Sequence, residues 1–599
     1  MKLKCAVIIS ALFLVSQAGL ASARPAPQHG YLSGHEGTSL EYILSLPDGE
    51  GPWPVLFTYD GYAAGGVEDT AYADQFVPEG YALIGVSVRG TSCSAGKFDF
   101  FEPIQALDAV EVIKWIAAPA QGAWSNGKVG MIGKSYPGIT QLFAAEACAD
   151  DNECSNHLVT IAPGHYYGDV YRDVAYPGGI FNYGFAALWS FVSQPSPGEQ
   201  NALKRIAAAD TQCATNRLDH VMNPRYNPFV QAQEHMFDDE LIRERSPIYH
   251  ADKIKVPVYT ANAWQDEQLG PRATYLIERL TVPYKQILGN GSHGLYRYSP
   301  NLVQLERWFD HYLKGESNGI DSEKKVTVWF DSTSSTDQGW KLEFDQWPLP
   351  DSGVTPLALY LRSGKSLDGA QPDADELPDA YAYPGGTESR SGEDVNSVGG
   401  FPTSVHKFKN DGYSIPPAPG TSLTYVTDPL PQDTVVLGTI RATLFVSSTA
   451  PDTDFQVSVS EVRRNEDVEY VQKGWLRASH RKLDETASSV SIYRPVHTHQ
   501  QSDLEPLTPD QVVQIDIGLP PVGHAFRKDD RIRIDIEMPS LTPELWAFVP
   551  VPIPAVNLVY HDAEHSSRIL LPTLPGVIPP IAEPACGSRI RQPCRTALP

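Results

Sequence analysis

Positive charge is in short supply in this 599-residue sequence: 47 lysines and arginines face 72 aspartates and glutamates, a formal net charge of −25. A body of that sign repels phosphate backbones and anionic lipid, which argues against nucleic acid and charged membranes as partners. Cysteine is sparse, with seven in all, and no spacing among them suits a zinc or iron–sulfur site. No internal repeat is visible, which excludes solenoids and propellers. The apolar stretch Ala6 to Val15 ends too soon to span a bilayer as a helix.

What is present is globular. The composition is 42% hydrophobic and 10% aromatic, and the length is too great for a single core, so two to four domains are expected. The first residues read as a secretory leader: Lys2 and Lys4 supply the charged end, Ala6 to Val15 the apolar segment and Ala21-Ser22-Ala23 the cleavage motif. The mature chain is expected to start at Arg24, secreted or periplasmic and without a membrane anchor. Loss of Cys5 leaves six cysteines. Cys148 with Cys154 and Cys586 with Cys594 close short loops easily, which leaves Cys93 with Cys213 by elimination; free buried thiols are the alternative.

The chain first alternates short apolar runs with helical patterns. Leu40 to Leu46 and Val55 to Tyr59 read as a hairpin or strand-turn-strand. Tyr81 to Val88 reads as a central strand covered on both faces and runs into a glycine-rich loop, Arg89 to Gly96. A helix is expected over Ile104 to Ile116, and strands at Val129 to Ile132, Val159 to Ala162, Val256 to Ala261 and Tyr284 to Leu288. This is the alternation of a mostly parallel α/β sheet. Between 164 and 251 the sequence is aromatic and helix-like, as a cap inserted into the sheet domain would be. Beyond 325 it becomes all-β, with period-two runs such as Thr439 to Val446, Phe455 to Val459 and Arg531 to Ile536, which predict a sandwich or jelly roll. Residues 363 to 420 are expected to be long loops and 576 to 599 an irregular tail.

Lys128 to Ala145 reads as strand, Gly133-Lys134-Ser135-Tyr136-Pro137-Gly138, then helix. That is the form of a nucleophile elbow, although its second glycine stands at +3 instead of the usual +2. A serine hydroxyl needs an imidazole to take its proton and a carboxylate to orient that imidazole. Asp266 follows one late strand and His293 the next, in the order Ser, Asp, His of α/β-hydrolases. Glu267 is an alternative acid. For the oxyanion, the amide of Tyr136 and the hydroxyl of Tyr59 are the candidate donors. His497 and His499 could suggest a metal, but two residues on the same face of a strand explain them more simply.

These residues resemble the cocaine esterase and X-Pro dipeptidyl-peptidase group of α/β-hydrolases. The resemblance rests on Tyr59-Asp-Gly, Val88 to Phe98, Trp124 to Gly138, Arg245 to Asp252, Glu306 to Gly315, Ser448 to Phe455 and Leu476 to Arg481. It implies a catalytic domain at 24–163 and 252–325, a cap at 164–251 and a jelly roll at 326–575. It also implies Ser135, Asp266 and His293 as the triad, with Tyr59 and Tyr136 at the oxyanion. In the amino-ester hydrolases of the group, acids stand two and three places after the triad aspartate to hold a substrate ammonium. Here those places are Gln268 and Leu269, while Asp169 or Asp173 of the cap could serve instead.

The expected protein is a secreted serine hydrolase that acts on a small ester, amide or short peptide, with no cofactor or metal. An X-Pro dipeptidyl-peptidase is one alternative. A carbohydrate- or surface-binding protein with an inactive hydrolase domain is another.

Overall fold

A computed structural model describes residues 25–595 except 267, 385–396, 399–400, 403–416 and 540–545. The leader expected at 1–23, the alternative acid Glu267 and part of the 363–420 loop lie outside the described residues.

A ten-stranded sheet forms the first layer. Its strands are β1 (Gln28–Ser33), β2 (Ser39–Ser45), β3 (Trp53–Asp60), β4 (Ala82–Ser87) and β5 (Ser125–Lys134), followed by β6 (Leu158–Gly164), β7 (Val258–Ala263), β8 (Tyr284–Gly289), β9 (Val326–Phe330) and β10 (Trp340–Phe344). They lie in the order β1-β2-β4-β3-β5-β6-β7-β8-β9-β10. From β4 to β9 neighbouring strands are parallel. β4 and β7 are buried at every position, because helices cover both faces. Alternate residues of β3 serve different cores: Val55 and Phe57 pack on one side with Ile113 and Leu142, and Leu56 packs on the other with Phe76 and Phe309.

Of the two readings of Leu40 to Tyr59, strand-turn-strand holds and the hairpin does not, since β4 lies between β2 and β3 and pairs with both. The first sheet also runs past 326, because β9 pairs in parallel with β8 and β10 closes the sheet. Apolar alternation at a sheet edge looks the same whichever sheet the strand joins.

Between β6 and β7 the chain leaves the sheet for the cap, whose helices include Pro195–Ala207 and Thr211–Met222. The Cys93–Cys213 disulfide fastens the second of these to the glycine-rich loop after β4, and Cys148–Cys154 and Cys586–Cys594 are also formed. All three expected pairings are present.

The second layer is all-β, a jelly roll whose long strands include Thr434–Ser448, Val468–Arg477 and Val513–Phe526. The tail is less irregular than its proline content suggests. Cys594–Arg595 pairs with Val468 and Glu469. Arg589 is 2% exposed. Its Nε donates to Asp331 just beyond β9 at 2.7 Å, and its Nη1 donates to Glu461 of the jelly roll at 3.3 Å. A buried cation needs such partners, and they tie the two layers together. No described helix is long and apolar enough to cross a membrane.

Candidate active site

Ser135 stands between β5 and the helix Tyr136–Ala149 with φ 63° and ψ −130°, a region that serine occupies only under strain. The elbow explains its two glycines. Gly133 has φ 150°, and a Cβ there would lie 2.6 Å from Pro137 Cβ. At Gly138 a Cβ would meet the Gly164 carbonyl oxygen at 2.3 Å. The glycine at +3 is therefore set by how closely the helix Tyr136–Ala149 passes the end of β6. Below the serine, the Tyr136 ring stacks on Phe101 at 4.2 Å and its hydroxyl donates to Gln105 at 2.8 Å. The Tyr136 amide is the first N–H of this helix, one of those a helix leaves without an intrahelical carbonyl.

Asp266 lies just past β7 and His293 just past β8, on the same carboxyl edge of the sheet as the elbow. His293 Nδ1 is 3.1 Å and 3.0 Å from the two carboxylate oxygens of Asp266. Asp266 Oδ1 also accepts from the amides of Gln268 at 2.8 Å and Leu269 at 3.2 Å. Burial opposes ionisation of Asp266, yet His293 and then His165 hold its carboxyl well below the usual range. The jelly roll supports this loop. Gln472 donates to the Trp264 carbonyl at 3.0 Å, and Gln265 donates to the Val471 carbonyl at 3.1 Å.

Two further residues converge on the site. His165, the first residue after β6, has its Nδ1 2.7 Å from Asp266 Oδ2 and is fully buried. The facing atoms of His165, Asp266 and His293 lie within 4.8 Å of one another, and each imidazole has its Nδ1 at hydrogen-bond distance from the carboxylate. The second residue is Tyr62. Its hydroxyl is 3.4 Å from Ser135 Oγ, and it accepts from Trp189 Nε1 of the cap at 3.1 Å. The indole can only donate, so Tyr62's own hydrogen can be offered to the site.

Tyr59 is placed elsewhere. It lies inside β3, 1% exposed, and its hydroxyl donates to Asp108 at 3.3 Å, beside the bidentate pair of Asp108 with Arg89. The reason is positional: β3 runs to Asp60, and only a residue beyond the strand end reaches over the carboxyl edge. Asp60-Gly61 is a turn signal, so it could have pointed to the second tyrosine of Tyr59-Asp-Gly-Tyr62. His165 carried a signal too, since it follows the strand between those that lead to Ser135 and Asp266.

Asp169 and Asp173 of the cap are buried. Asp169 pairs with Arg172 at 2.7 Å and accepts from Tyr249 at 3.2 Å. Asp173 Oδ2 accepts from the amides of Gly168 and Asp169, and burial followed by the neighbouring Asp169 pushes its carboxyl up to about 7. His497 and His499 pack ring to ring at 5.6 Å but do not lie on a regular strand. His497 forms one isolated bridge with Leu483, and His499 packs on Tyr171 with its Nδ1 3.1 Å from that of His480.

Comparison with known proteins fits this geometry. The family model for X-Pro dipeptidyl-peptidase (S15 family) matches residues 36–295, and that for the X-Pro dipeptidyl-peptidase C-terminal non-catalytic domain matches 318–569. The chain belongs to the cocaine esterase and X-Pro dipeptidyl-peptidase family of α/β-hydrolases. It is a serine hydrolase. A Mycobacterium bovis protein assigned as a serine esterase is 27% identical to this hydrolase over 559 residues, 84% of each chain. Cocaine esterase of Rhodococcus sp. is 27% identical over 473 residues, 71% of this chain and 78% of its own. A CocE/NonD family hydrolase from Staphylococcus aureus shares the fold, with TM-score 0.71 at 22% identity over 91% of this chain and 93% of its own.

Proposed function

We propose that this hydrolase is secreted and cleaves carboxylic esters through an acyl-enzyme on Ser135. The observation that carries the reading is the bond from His293 Nδ1 to the Asp266 carboxylate, on the same sheet edge as the strained serine. With Nδ1 holding the proton shared with Asp266, Nε2 takes the proton of Ser135 as Oγ attacks the carbonyl, then returns it to the leaving alcohol. Water repeats the cycle and frees the acid. The Tyr136 amide and the Tyr62 hydroxyl donate to the oxyanion. Three disulfides and the leader pattern support secretion.

An ester is preferred over an X-Pro peptide because the groups that would hold a substrate ammonium are committed elsewhere. Gln268 and Leu269 carry no charge, Asp169 is engaged by Arg172, and one oxygen of Asp173 already accepts two amides. 4-Nitrophenyl acetate and Ala-Pro-4-nitroanilide, assayed side by side, test this. Release from the acetate alone is expected; rapid release from the anilide with none from the acetate would replace the reading by a dipeptidyl-peptidase.

The two tyrosines can be told apart. Tyr62→Phe is expected to lower kcat for the acetate by about 10²- to 10³-fold, the usual cost of one oxyanion donor. Tyr59→Phe should keep kcat and lose about 1 kcal/mol of stability, as a lost buried hydrogen bond does. Stopped assays and thermal unfolding of both variants decide it.

A further inference from the structure

The carboxylate of Asp266 serves two imidazoles, and the second is outside the expected triad. Resting on the proposed acyl-enzyme reading, we propose that His165 is a positioning residue: a neutral imidazole that fixes the Asp266 carboxylate and shares its charge with His293.

The tautomer follows from the neighbours. The backbone N–H of Tyr296 points at His165 Nε2 at 3.2 Å, and an amide can only donate, so Nε2 is the acceptor. The ring proton therefore sits on Nδ1 and is donated to Asp266 Oδ2 at 2.7 Å. Both ring nitrogens are used, and the ring cannot flip without losing both bonds.

The ring is also held from behind. His165 has φ 43°, its own amide donates to the Ala261 carbonyl of β7 at 3.0 Å, and its carbonyl accepts from the Ser135 amide at 3.1 Å. One residue thus joins the elbow backbone to the triad carboxylate. The groups that face it electrostatically are Asp266, His293 and Lys134. Burial lowers its proton affinity, and the Asp266 bond opposes this without overcoming it. The proton removed from Ser135 is therefore confined to His293, which lies 4.9 Å away ring to ring. A second cationic imidazole there would compete for the same carboxylate.

The charge sharing has a sign. Oδ2 accepts from both rings, so each N–H draws on the same oxygen. Removing the His165 donor leaves more charge for His293 and stabilises its protonated form. The acidic limb of kcat/KM then moves to higher pH, while a less firmly held Asp266 lowers kcat.

His165→Phe keeps a ring of similar bulk without donors. It should lower kcat for 4-nitrophenyl acetate about ten- to a hundredfold, in the range expected for misplaced catalytic groups, with KM within about threefold and the acidic limb displaced upward. His165→Asn tolerates the positive φ and restores a donor to Asp266, so it should recover most of the kcat and the original limb. Should His165→Phe not fold, low-field proton NMR of His293→Ala gives a second reading. One Nδ1 proton resonance must persist in that variant and vanish in His293→Ala/Asp266→Ala. The proposal is overturned if phenylalanine and asparagine behave alike with an unmoved pH limb, or if no such resonance survives loss of His293. If instead Ser135→Ala keeps full turnover, the acyl-enzyme reading itself fails, so the two failures are distinguishable.

Discussion

Ser135→Ala is expected to lower kcat for a 4-nitrophenyl ester by about 10⁶-fold, with KM within a few-fold of wild type. The size follows from serine and histidine acting as one unit, so that removal of the nucleophile costs about as much as removal of the whole triad. The residual rate over water should come from the Tyr62 hydroxyl and the Tyr136 amide, which the substitution leaves untouched. The variant should fold, because alanine suffers no more than serine at φ 63° and the glycines that permit the elbow remain. Active-site titration and steady-state kinetics on folded protein, confirmed by circular dichroism, check this.

Asp266→Asn should cost about 10⁴-fold in kcat, the scale expected when the histidine loses its orienting carboxylate. The structure makes this substitution unusually disruptive. Oδ2 accepts from two imidazoles, and Oδ1 accepts from the amides of Gln268 and Leu269. An amide must place its NH₂ at one of these two positions, where it faces donors only. Turned toward the imidazoles it forces at least one ring into the other tautomer; turned toward the backbone it opens the loop after β7. Loss of kcat with retained acetate binding is the expected result, and an activity within tenfold of wild type would count against Asp266 as the orienting acid.

The positions of the central strands along the chain were legible because such a strand is covered on both faces and shows as a continuous apolar run, as Tyr81 to Val88 does. The elbow was legible because its glycines are demanded by close approach, at Gly133 to Pro137 and at Gly138 to Gly164. Residues carried at the ends of such strands, Asp266 and His293 among them, can be found by counting strands. Lateral relations were harder to read. That β9 and β10 finish the first sheet depends on pairing with β8, which no local pattern encodes. Tyr59 was the candidate read from the sequence and Tyr62 was not weighed; the end of β3 separates them, three residues apart in sequence but facing Asp108 in one case and Ser135 in the other. His165 was marked only by its place directly after β6. Its partner is 101 residues away, and β6 lying between β5 and β7 brings the two together.

The central claim is that Ser135 is the nucleophile of this hydrolase. It is tested most directly by labelling the folded protein with a fluorophosphonate and locating the adduct by peptide mass spectrometry. A single adduct on Ser135, absent from Ser135→Ala, is the predicted result. An adduct on another serine, or labelling that persists in Ser135→Ala, would contradict the account.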